Sequence, residues 1–320
     1  MALPSPASLT SLIEKDLRLM RIFRAVAESG GLTAAETKLN MERSTISRHV
    51  KAIEGRLGGP LCVRGPGGFE LTDLGHVVLR ASIMACDTLD RVRDELNLAR
   101  GVITGDLHVG VPDNCITNPQ AGIAAAIAAF RKSAPNVKLH VHIRPPHELV
   151  EELCGRRLHL SVVGGDSRDS KLEYDSLFDE EFRLYAGRCK TVAPRVGDLD
   201  RLGYGLVGRR TSRRTADFAS ALGISITAEA FGLEAVATLL ASGSFVGFLP
   251  THFAESLAGS HDIKEVQGAD AFSYSAHFHL AREKHRPLSA QGELFRHLIQ
   301  KEHSELQTPL DQRRRRSKRN

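Results

Sequence analysis

The sequence lacks any segment that would direct it into or across a membrane. Its longest apolar runs, such as Ala121–Phe130, fall short of the roughly 20 residues that a membrane-spanning helix requires. The start of the chain, Met1–Asp16, does not combine basic residues with an apolar stretch as a secretory signal peptide does. We therefore expect a cytoplasmic protein that does not bind membranes.

Cysteine is also scarce, and the few cysteines are scattered. The five are Cys62, Cys86, Cys115, Cys154 and Cys189. A disulfide framework or a zinc site would show closely spaced pairs, so we expect reduced thiols. Cys115 stands near a predicted helix start, where the pKa of a thiol can fall. A redox-sensing role for Cys115 therefore remains an alternative to a role in the pocket or in packing.

Catalytic signatures are missing as well. The sequence has no Gly-x-Ser-x-Gly elbow, no Walker-type phosphate loop and no His-Glu-x-x-His motif, so we expect neither an enzyme nor a bound cofactor. His140-x-His142 and His277-x-His279 each place two imidazoles on one face of a strand. Because no carboxylate or cysteine stands at ligand spacing around them, histidines without a metal are favoured over a metal site.

The net charge of +5 is unevenly distributed. Residues 1–65 carry +4, the segment Arg313–Arg319 carries +6, and the remainder carries −5. Clustered positive charge attracts polyanions, of which nucleic acid is the leading candidate. The basic tail, 305–320, is predicted to be disordered because its like charges repel one another. It either adds phosphate contacts or takes no part in binding.

The basic N-terminal part has the pattern of a winged helix-turn-helix over residues 16–72, after an extension of 1–15. Thr33 and Glu36 are spaced as a capping box, and Asn40 tolerates the left-handed backbone of a tight turn. The predicted elements are helices Asp16–Ser29, Thr33–Leu39 and Glu42–Leu57, followed by strands Leu61–Arg64 and Phe69–Leu71.

The third helix has the composition of a recognition helix. An apolar stripe through Ile46, Val50 and Ile53 leaves the other faces to polar residues. These residue types read base edges and hold phosphates when a helix lies in the major groove. We therefore expect double-stranded DNA as a partner, with a merely solvated helix face as the alternative. The exposed set is Arg43, Ser44, Thr45, Ser47, Arg48 and Lys51.

These motifs resemble the LysR family of transcriptional regulators. The resemblance is carried in order by Leu32-Thr-Ala-Ala-Glu-Thr-Lys-Leu39, Ser44-Thr-Ile-Ser-Arg48, Ile53-Glu54, Leu57-Gly58, Leu61-Cys-Val-Arg64 and Leu71-Thr-Asp-Leu-Gly75. It implies that Thr33, Ser44, Thr45, Ser47 and Arg48 contact DNA and that Arg64 holds the DNA backbone from the wing. Glu42 departs from the small polar residue usual in the family, and Cys62 replaces a phenylalanine.

A long amphipathic helix is predicted over residues 73–100, after the N-cap Thr72. At 1.5 Å per residue it would reach roughly 40 Å, and its apolar stripe needs a partner. In the LysR family this segment is a linker helix that pairs two subunits. The resemblance therefore implies a dimer or a dimer of dimers, whereas packing on the chain's own sensor region is the alternative.

Residues 101–304 alternate strands and helices, among them a helix at Cys115–Ser133 and a strand at Phe182–Ala186, which predicts a largely parallel sheet covered by helices. The fold class is thus α/β overall, with an N-terminal all-α winged helix-turn-helix. The pattern resembles the two-lobed effector-binding region of LysR proteins, which is built like type 2 periplasmic binding proteins. We expect one lobe at about 101–165 plus 271–304 and the other at 166–270.

In such a fold a small ligand binds between the lobes, where helix N-termini favour carboxylates. The family resemblance implies a small organic or aromatic acid as the effector and a contact with RNA polymerase. Each candidate residue could equally be an ordinary cap or turn. The candidates are Asn114, Cys115 and Thr117 in the loop Pro112–Asn118, Gly164 and Gly165 at a crossover, Thr211 and Ser212 at a helix start, and Phe231.

Two other classes of protein share parts of this pattern. A solute-binding protein would have the two lobes but would need an export signal and would have no use for residues 16–71. An enzyme fused to a DNA-binding domain would need a catalytic constellation in residues 101–304, where none is evident. We therefore predict a regulator that binds inverted repeats in promoters.

Overall fold

The computed structural model describes residues 11–65, 68–165, 168–188, 192–209 and 213–307. The side chain of Arg64, residues Thr211 and Ser212, and the basic tail beyond residue 307 lie outside the described residues. The contacts divide the chain between Arg100 and Gly101 into two compact units. In the part of the chain that is described, no helix is both long and apolar enough to span a membrane.

The first unit begins with three helices and a two-stranded hairpin. The elements are α1 (Glu14–Glu28), α2 (Leu32–Leu39), α3 (Arg43–Leu57), β1 (Cys62–Gly65) and β2 (Gly68–Leu71). Their shared core contains Phe23, Ala35, Ile46, Val50 and Leu61, each fully buried. Asn40 ends α2 with a φ of 48°, the left-handed conformation expected for the tight turn. The predicted winged helix-turn-helix is confirmed.

The predicted capping box at Thr33 and Glu36 is wrong. Helix α2 begins one residue earlier, at Leu32, and its N-cap is Gly31 with a φ of 147°. This conformation favours glycine, which has no side chain to cap the helix. Glu36 instead reaches across the turn, where its Oε1 accepts a 2.7 Å hydrogen bond from the backbone N–H of Arg43. It therefore caps α3 rather than α2.

Helix α4 (Asp73–Leu98) follows the hairpin and completes the first unit. Its N-cap is Thr72, as expected, because Thr72 Oγ1 accepts from the N–H of Gly75 at 3.0 Å and donates to the carbonyl of Pro60 at 2.7 Å. A Cβ at Gly75 would lie 1.9 Å from the carbonyl oxygen of Leu61, so only glycine permits this contact between α4 and the hairpin.

The second unit is built on one mixed sheet with helices on its faces. The strands are β3 (Thr104–Val111), β4 (Asn136–Ile143), β5 (Leu160–Gly164), β6 (Leu172–Ala186), β7 (Gly205–Arg209), β8 (Ile226–Ala230), β9 (Phe245–Pro250), β10 (Lys264–Glu265) and β11 (Tyr274–Glu283). The helices are α5 (Ile123–Ser133), α6 (Pro146–Cys154), α7 (Arg213–Leu222), α8 (Leu233–Ala241), α9 (Thr251–His261) and α10 (Ala290–Gln307).

The sheet order is β4-β3-β5-β11-β6-β9-β7-β8, with β10 added beside β6. Strands β3, β4 and β5 are parallel in one lobe, and β7, β8 and β9 are parallel in the other. Strands β6 and β11 pair antiparallel along most of their length and connect the lobes. The expectation of a largely parallel sheet therefore holds within each lobe but not at their junction.

Two element boundaries differ from the sequence-based expectation. The predicted helix Cys115–Ser133 is a short 3-10 turn, Cys115–Thr117, followed by α5 from Ile123. Pro119 and Gly122 interrupt it, and Gly122 has a φ of 61°. Strand β6 is much longer than the predicted Phe182–Ala186 because its first half pairs with β11.

An ion pair joins the first and third helices of the first unit. Asp16 is 2% exposed and its Oδ1 lies 2.6 Å from Nε of Arg56, while its Oδ2 accepts from the N–H of Ile13 at 3.0 Å. The hydrogen bond from Arg56, followed by that from Ile13, lowers the pKa of Asp16 below its ordinary 3.8.

We expect Asp16→Asn to destabilise the protein at neutral pH. Because the folded pKa is depressed, the stabilisation by Asp16 is present above its unfolded pKa and is lost as pH falls below 3.8. Urea denaturation of both proteins between about pH 7 and pH 3 should show a difference that shrinks on acidification. Glu14→Gln, at an exposed position on the same helix, is the control. Equal stability of Asp16→Asn and wild type at neutral pH would contradict the expectation.

Candidate nucleic-acid interface and ligand cleft

Helix α3 presents one buried and one exposed face. Ile46, Val50 and Ile53 are at most 2% exposed and hold the helix in the core. Ser44, Arg48 and Lys51 lie on the opposite side, because residues three and four apart share a helix face. The structure places Arg43, Ser44, Arg48 and Lys51 in solvent, Thr45 and Ser47 half-buried, and Thr33 exposed on α2.

The exposed face of α3 carries hydroxyls and positive charges close together. Arg48 Nη2 donates to Thr45 Oγ1 at 3.0 Å, which keeps the guanidinium on the surface of the helix. Arg43 and Lys51 add two more cations, and no acidic residue lies between Arg43 and Lys51. Glu42, the N-cap of α3, is exposed at the edge of this surface. The arrangement suits a polyanion with hydrogen-bonding groups at the centre of the contact.

Two carboxylates support α3, and neither was predicted in that role. Glu36 holds the N-terminus of the helix through the N–H of Arg43. Glu54 Oε1 accepts from the N–H of Leu61 at 2.9 Å and so fixes the start of the hairpin against α3. Neither contact could be predicted from local spacing, because each carboxylate accepts from a backbone N–H seven residues away.

Helix α4 leaves apolar side chains uncovered in the described chain. Leu96 is 65% exposed, Val77 51% and Val92 49%, with Leu89 also exposed. Leu89, Val92 and Leu96 are spaced by three and four residues, so they form one stripe. Val78, nearer the start of α4, is instead buried in the first unit's core, where it packs with residues of the other helices.

A carboxylate from one lobe caps a helix of the other. Asp113 follows β3, and its Oδ2 accepts a 2.6 Å hydrogen bond from the N–H of Leu233, the first residue of α8. Gly232 precedes this helix with a φ of 91°, and the same Oδ2 lies 3.2 Å from the position of a Cβ at Gly232. A helix N-terminus favours a negative charge, so Asp113 occupies a ready-made anion site.

A second bridge runs through a buried carboxylate on β6. Glu180 is 4% exposed, and its Oε1 accepts from Nδ2 of Asn118 at 3.0 Å and lies 3.1 Å from Nε2 of His252. The other ring nitrogen of His252 is 2.9 Å from Thr117 Oγ1, and Thr117 also donates to the carbonyl of Asn114. The loop Pro112–Asn118 is thus bonded to β6, α8 and α9.

Asn114 and Thr117, predicted as effector contacts, lie in this loop. Asn114 has a φ of 61°, and its buried Nδ2 has no hydrogen-bond partner among the described residues. A buried unsatisfied donor is uncommon in proteins and would be satisfied by an acceptor on a ligand. Ile116 is 91% exposed beside it, and across the cleft Phe231 is 69% exposed.

The remaining described candidates have structural explanations. Cys115 is buried, and burial followed by the charges of Glu180 and Asp113 raises the pKa of its thiol far above the usual range. Both effects oppose formation of the thiolate that a redox-sensing Cys115 would need. A Cβ at Gly164 would lie 2.2 Å from the ring of Phe278, so packing requires that glycine. Gly165 has a φ of 76°, which a turn requires.

Arg209 is a cleft residue that the sequence did not single out. It ends β7 opposite Ala230 in the register, so it lies at the same sheet edge as Phe231 and the N-terminus of α8. Its guanidinium carbon lies 5.5 Å from the centre of the Phe182 ring. Asp113, Glu180 and His252 were likewise missed, because their partners are between 62 and 135 residues away.

Two family models match the chain. The model described as "Bacterial regulatory helix-turn-helix protein, lysR family" matches residues 17–76, and that of the LysR substrate binding domain matches residues 100–304. The HTH-type transcriptional activator BauR of Pseudomonas aeruginosa is 35% identical over 77% of this chain and 82% of its own. A probable RuBisCO transcriptional regulator of Thalassiosira pseudonana is 27% identical over 55% of this chain and 58% of its own.

Solved structures share the fold. CbnR, titled a LysR family transcriptional regulator, aligns with a TM-score of 0.61 at 21% identity, covering 90% of this chain and 99% of CbnR. ArgP from Mycobacterium tuberculosis aligns with a TM-score of 0.60 at 16% identity, covering 89% of this chain and 96% of ArgP. The predicted fold class is confirmed.

Removing the cap on α8 tests the bridge between the lobes. We expect Asp113→Ala to lower the free energy of unfolding by about 0.5–2 kcal/mol, as the loss of a helix cap does. Hydrogen exchange should accelerate at the first turn of α8 and in the loop Pro112–Asn118. Asp217→Ala, at an exposed position on α7, should leave both regions unchanged. Unchanged exchange in Asp113→Ala would show that the bridge contributes nothing.

Proposed function

Because the chain belongs to the LysR family of bacterial transcriptional regulators, we propose that it acts as a dimer or dimer of dimers. In this proposal it binds inverted repeats in promoter DNA in the cytoplasm and responds to a small organic or aromatic acid. The DNA-binding domain is residues 16–72, the linker helix 73–100 and the effector-binding domain 101–304. The curated relatives BauR and the RuBisCO regulator are named as regulators, in agreement with a non-enzyme.

The observation that carries the DNA proposal is the exposed face of α3. Ser44, Arg48 and Lys51 stand opposite its buried stripe, where a helix in the major groove meets base edges and phosphates. Thr33, Arg43, Thr45 and Ser47 surround them and supply hydroxyls and one more cation. We assign base reading to the centre of this face, and phosphate contacts to its rim together with Arg64 of the wing.

Dimerisation through α4 is supported by its uncovered apolar stripe. An exposed row of Leu89, Val92 and Leu96 costs free energy in water, and pairing with the same row of a second copy removes it from water. A two-fold pairing of subunits also explains why inverted repeats are the expected target, because two recognition helices then face two half-sites.

The chemistry of the cleft favours an effector with a carboxylate. The N-terminus of α8, the guanidinium of Arg209 and the unsatisfied Nδ2 of Asn114 all attract an acceptor or a negative charge. Phe231 and Ile116 offer apolar surface for the rest of the molecule. An acid that binds α8 replaces the carboxylate of Asp113, so binding of the effector opens the bridge between the lobes.

This competition supplies a physical reason for regulation. A ligand shifts a conformational equilibrium only by binding one state more tightly than the other. An acid that displaces Asp113 binds the state in which the Asp113 end of the loop Pro112–Asn118 is released. We propose that this change alters how the dimer bends DNA or contacts RNA polymerase.

Arg48→Ala tests the proposed recognition surface. Loss of one charged groove contact should weaken specific DNA binding by about 1–3 kcal/mol, measured by fluorescence anisotropy with an inverted-repeat duplex. Lys132→Ala removes the same charge from an exposed position in the second unit and serves as the control. If the two variants bind DNA equally well at matched salt, α3 is not the recognition helix.

A double variant of α4, Val92→Glu with Leu96→Glu, tests the proposed dimer interface. We expect it to sediment as a monomer where the wild type is a dimer, because four carboxylates would be buried in the interface. Its affinity for an inverted repeat should fall about 100-fold, since the second half-site no longer binds in the same complex. Leu98→Glu, about 200° from Leu96 around the helix, is the control. A dimeric double variant would place the interface elsewhere.

A further inference from the structure

Four titratable side chains form a compact cluster on strands β3 and β4 of the first lobe, away from the cleft residues. His108 on β3 and His140 on β4 are register partners, and their rings stack with centroids 4.2 Å apart and planes 3° from parallel. His140 Nε2 lies 2.8 Å from Asp106 Oδ1, and His108 Nδ1 lies 3.0 Å from His142 Nε2. The pairs His140–Asp106 and His108–His142 therefore lie side by side on one face of the sheet.

A fourth histidine fixes the backbone of this cluster. His159, the residue before β5, donates its N–H to the carbonyl of His108 at 2.9 Å, and its Nδ1 accepts from the N–H of His108 at 2.9 Å. Its ring centroid is 5.7 Å from that of His108. The row of histidines thus crosses three neighbouring strands, and the central one is positioned by backbone bonds on both sides.

We propose that this cluster binds one divalent transition-metal ion of the Zn²⁺ class, with Asp106, His108 and His140 as ligands. One ligand atom from each of these residues lies within 4.8 Å of the other two. With metal–ligand bonds of about 2.0–2.1 Å, tetrahedral ligand atoms stand roughly 3.3 Å apart, so modest side-chain rotations complete the site. His142, next to His108, can supply a fourth nitrogen.

The donor set selects the class of cation. Imidazole nitrogens with one carboxylate suit Zn²⁺, Co²⁺, Ni²⁺ or Cu²⁺, whereas Mg²⁺ and Ca²⁺ prefer all-oxygen sites. Each imidazole ligand must be in its neutral form to bind the ion. The carboxylate of Asp106 offsets part of the charge of the ion.

The proposed site is separate from the cleft. His108 lies three residues before Val111, the end of β3 next to the cleft loop, which is about 10 Å along the strand. Strand β4 is at the edge of the sheet and pairs with β3 alone among the described strands. An ion held by Asp106, His108 and His140 would therefore fasten this edge strand to the sheet.

The sequence alone favoured His140-x-His142 as histidines without a metal, because no carboxylate or cysteine stands at ligand spacing around them. The parallel register of β3 and β4 supplies the missing carboxylate, since it places Asp106 and His108 beside His140. Asp106 is 34 residues from His140 in sequence, so local spacing could not reveal this pairing.

The test is a metal titration of the full chain after removal of metals with a chelator. Co²⁺, followed by its visible d–d bands and competed with Zn²⁺, should bind at one equivalent per chain. Asp106→Asn, at an exposed position, and His140→Ala should each weaken binding at least about tenfold, since loss of even an outer partner costs 10–100-fold. His277→Ala is the matched control, because His277 is an exposed histidine 2.5 Å from Asp179 on other strands.

Hydrogen exchange supplies a second readout. Zn²⁺ should slow exchange of the β4 amides in the wild type and in His277→Ala but not in His140→Ala. The proposal is overturned if the wild type shows no saturable Co²⁺ binding below about millimolar concentration. It is equally overturned if Asp106→Asn and His140→Ala bind the ion as tightly as His277→Ala.

Discussion

The hydrogen bond between the Asp113 carboxylate and the N–H of Leu233 connects the two lobes across the cleft. It places a negative charge on the helix end that an acidic ligand would otherwise use. In the proposed mechanism, the Asp113 carboxylate and an acidic ligand therefore compete for one N–H group. The free energy needed to break this bond would then set how strongly the effector must bind the cleft in order to change the conformation.

The rest of the cleft is arranged around that bond. Glu180 and His252 hold the far end of the loop that carries Asp113, so release of Asp113 frees only part of it. Strands β6 and β11 pair between the lobes through backbone hydrogen bonds that do not involve this loop. The lobes are thus joined by a long strand pairing, β6 with β11, and by the single hydrogen bond from Leu233 to Asp113. A ligand can replace the single hydrogen bond, and in the proposed mechanism it controls the protein in this way.

Local periodicity predicted those parts of the fold that depend on neighbouring residues. The stripe through Ile46, Val50 and Ile53 identified the buried face of α3, and with it the exposed face that carries Arg48. Asn40 and Thr72 were recognised because a left-handed turn and an N-cap are properties of one or two residues. These features follow from backbone geometry and burial within a single element.

The features that could not be predicted depend on pairing between distant segments. Glu36 has the spacing of a capping residue for α2, but the glycine before the helix frees it to cap α3 instead. Asp113 and Leu233 are 120 residues apart, and Asp106 and His140 are 34 residues apart. Only the register of the sheet and the approach of the lobes bring these groups together, and neither is encoded in local spacing.

The central claim is that this chain is a dimeric, sequence-specific regulator, and sequencing of the genomic DNA that it retains tests that claim most directly. Purified protein is mixed with fragmented bacterial DNA at physiological salt, and the bound fragments are sequenced. The account predicts enrichment of a few sites that share an inverted repeat with half-sites spaced for two recognition helices. Uniform, salt-sensitive retention without a shared motif would contradict it, because that result requires only non-specific attraction to phosphate.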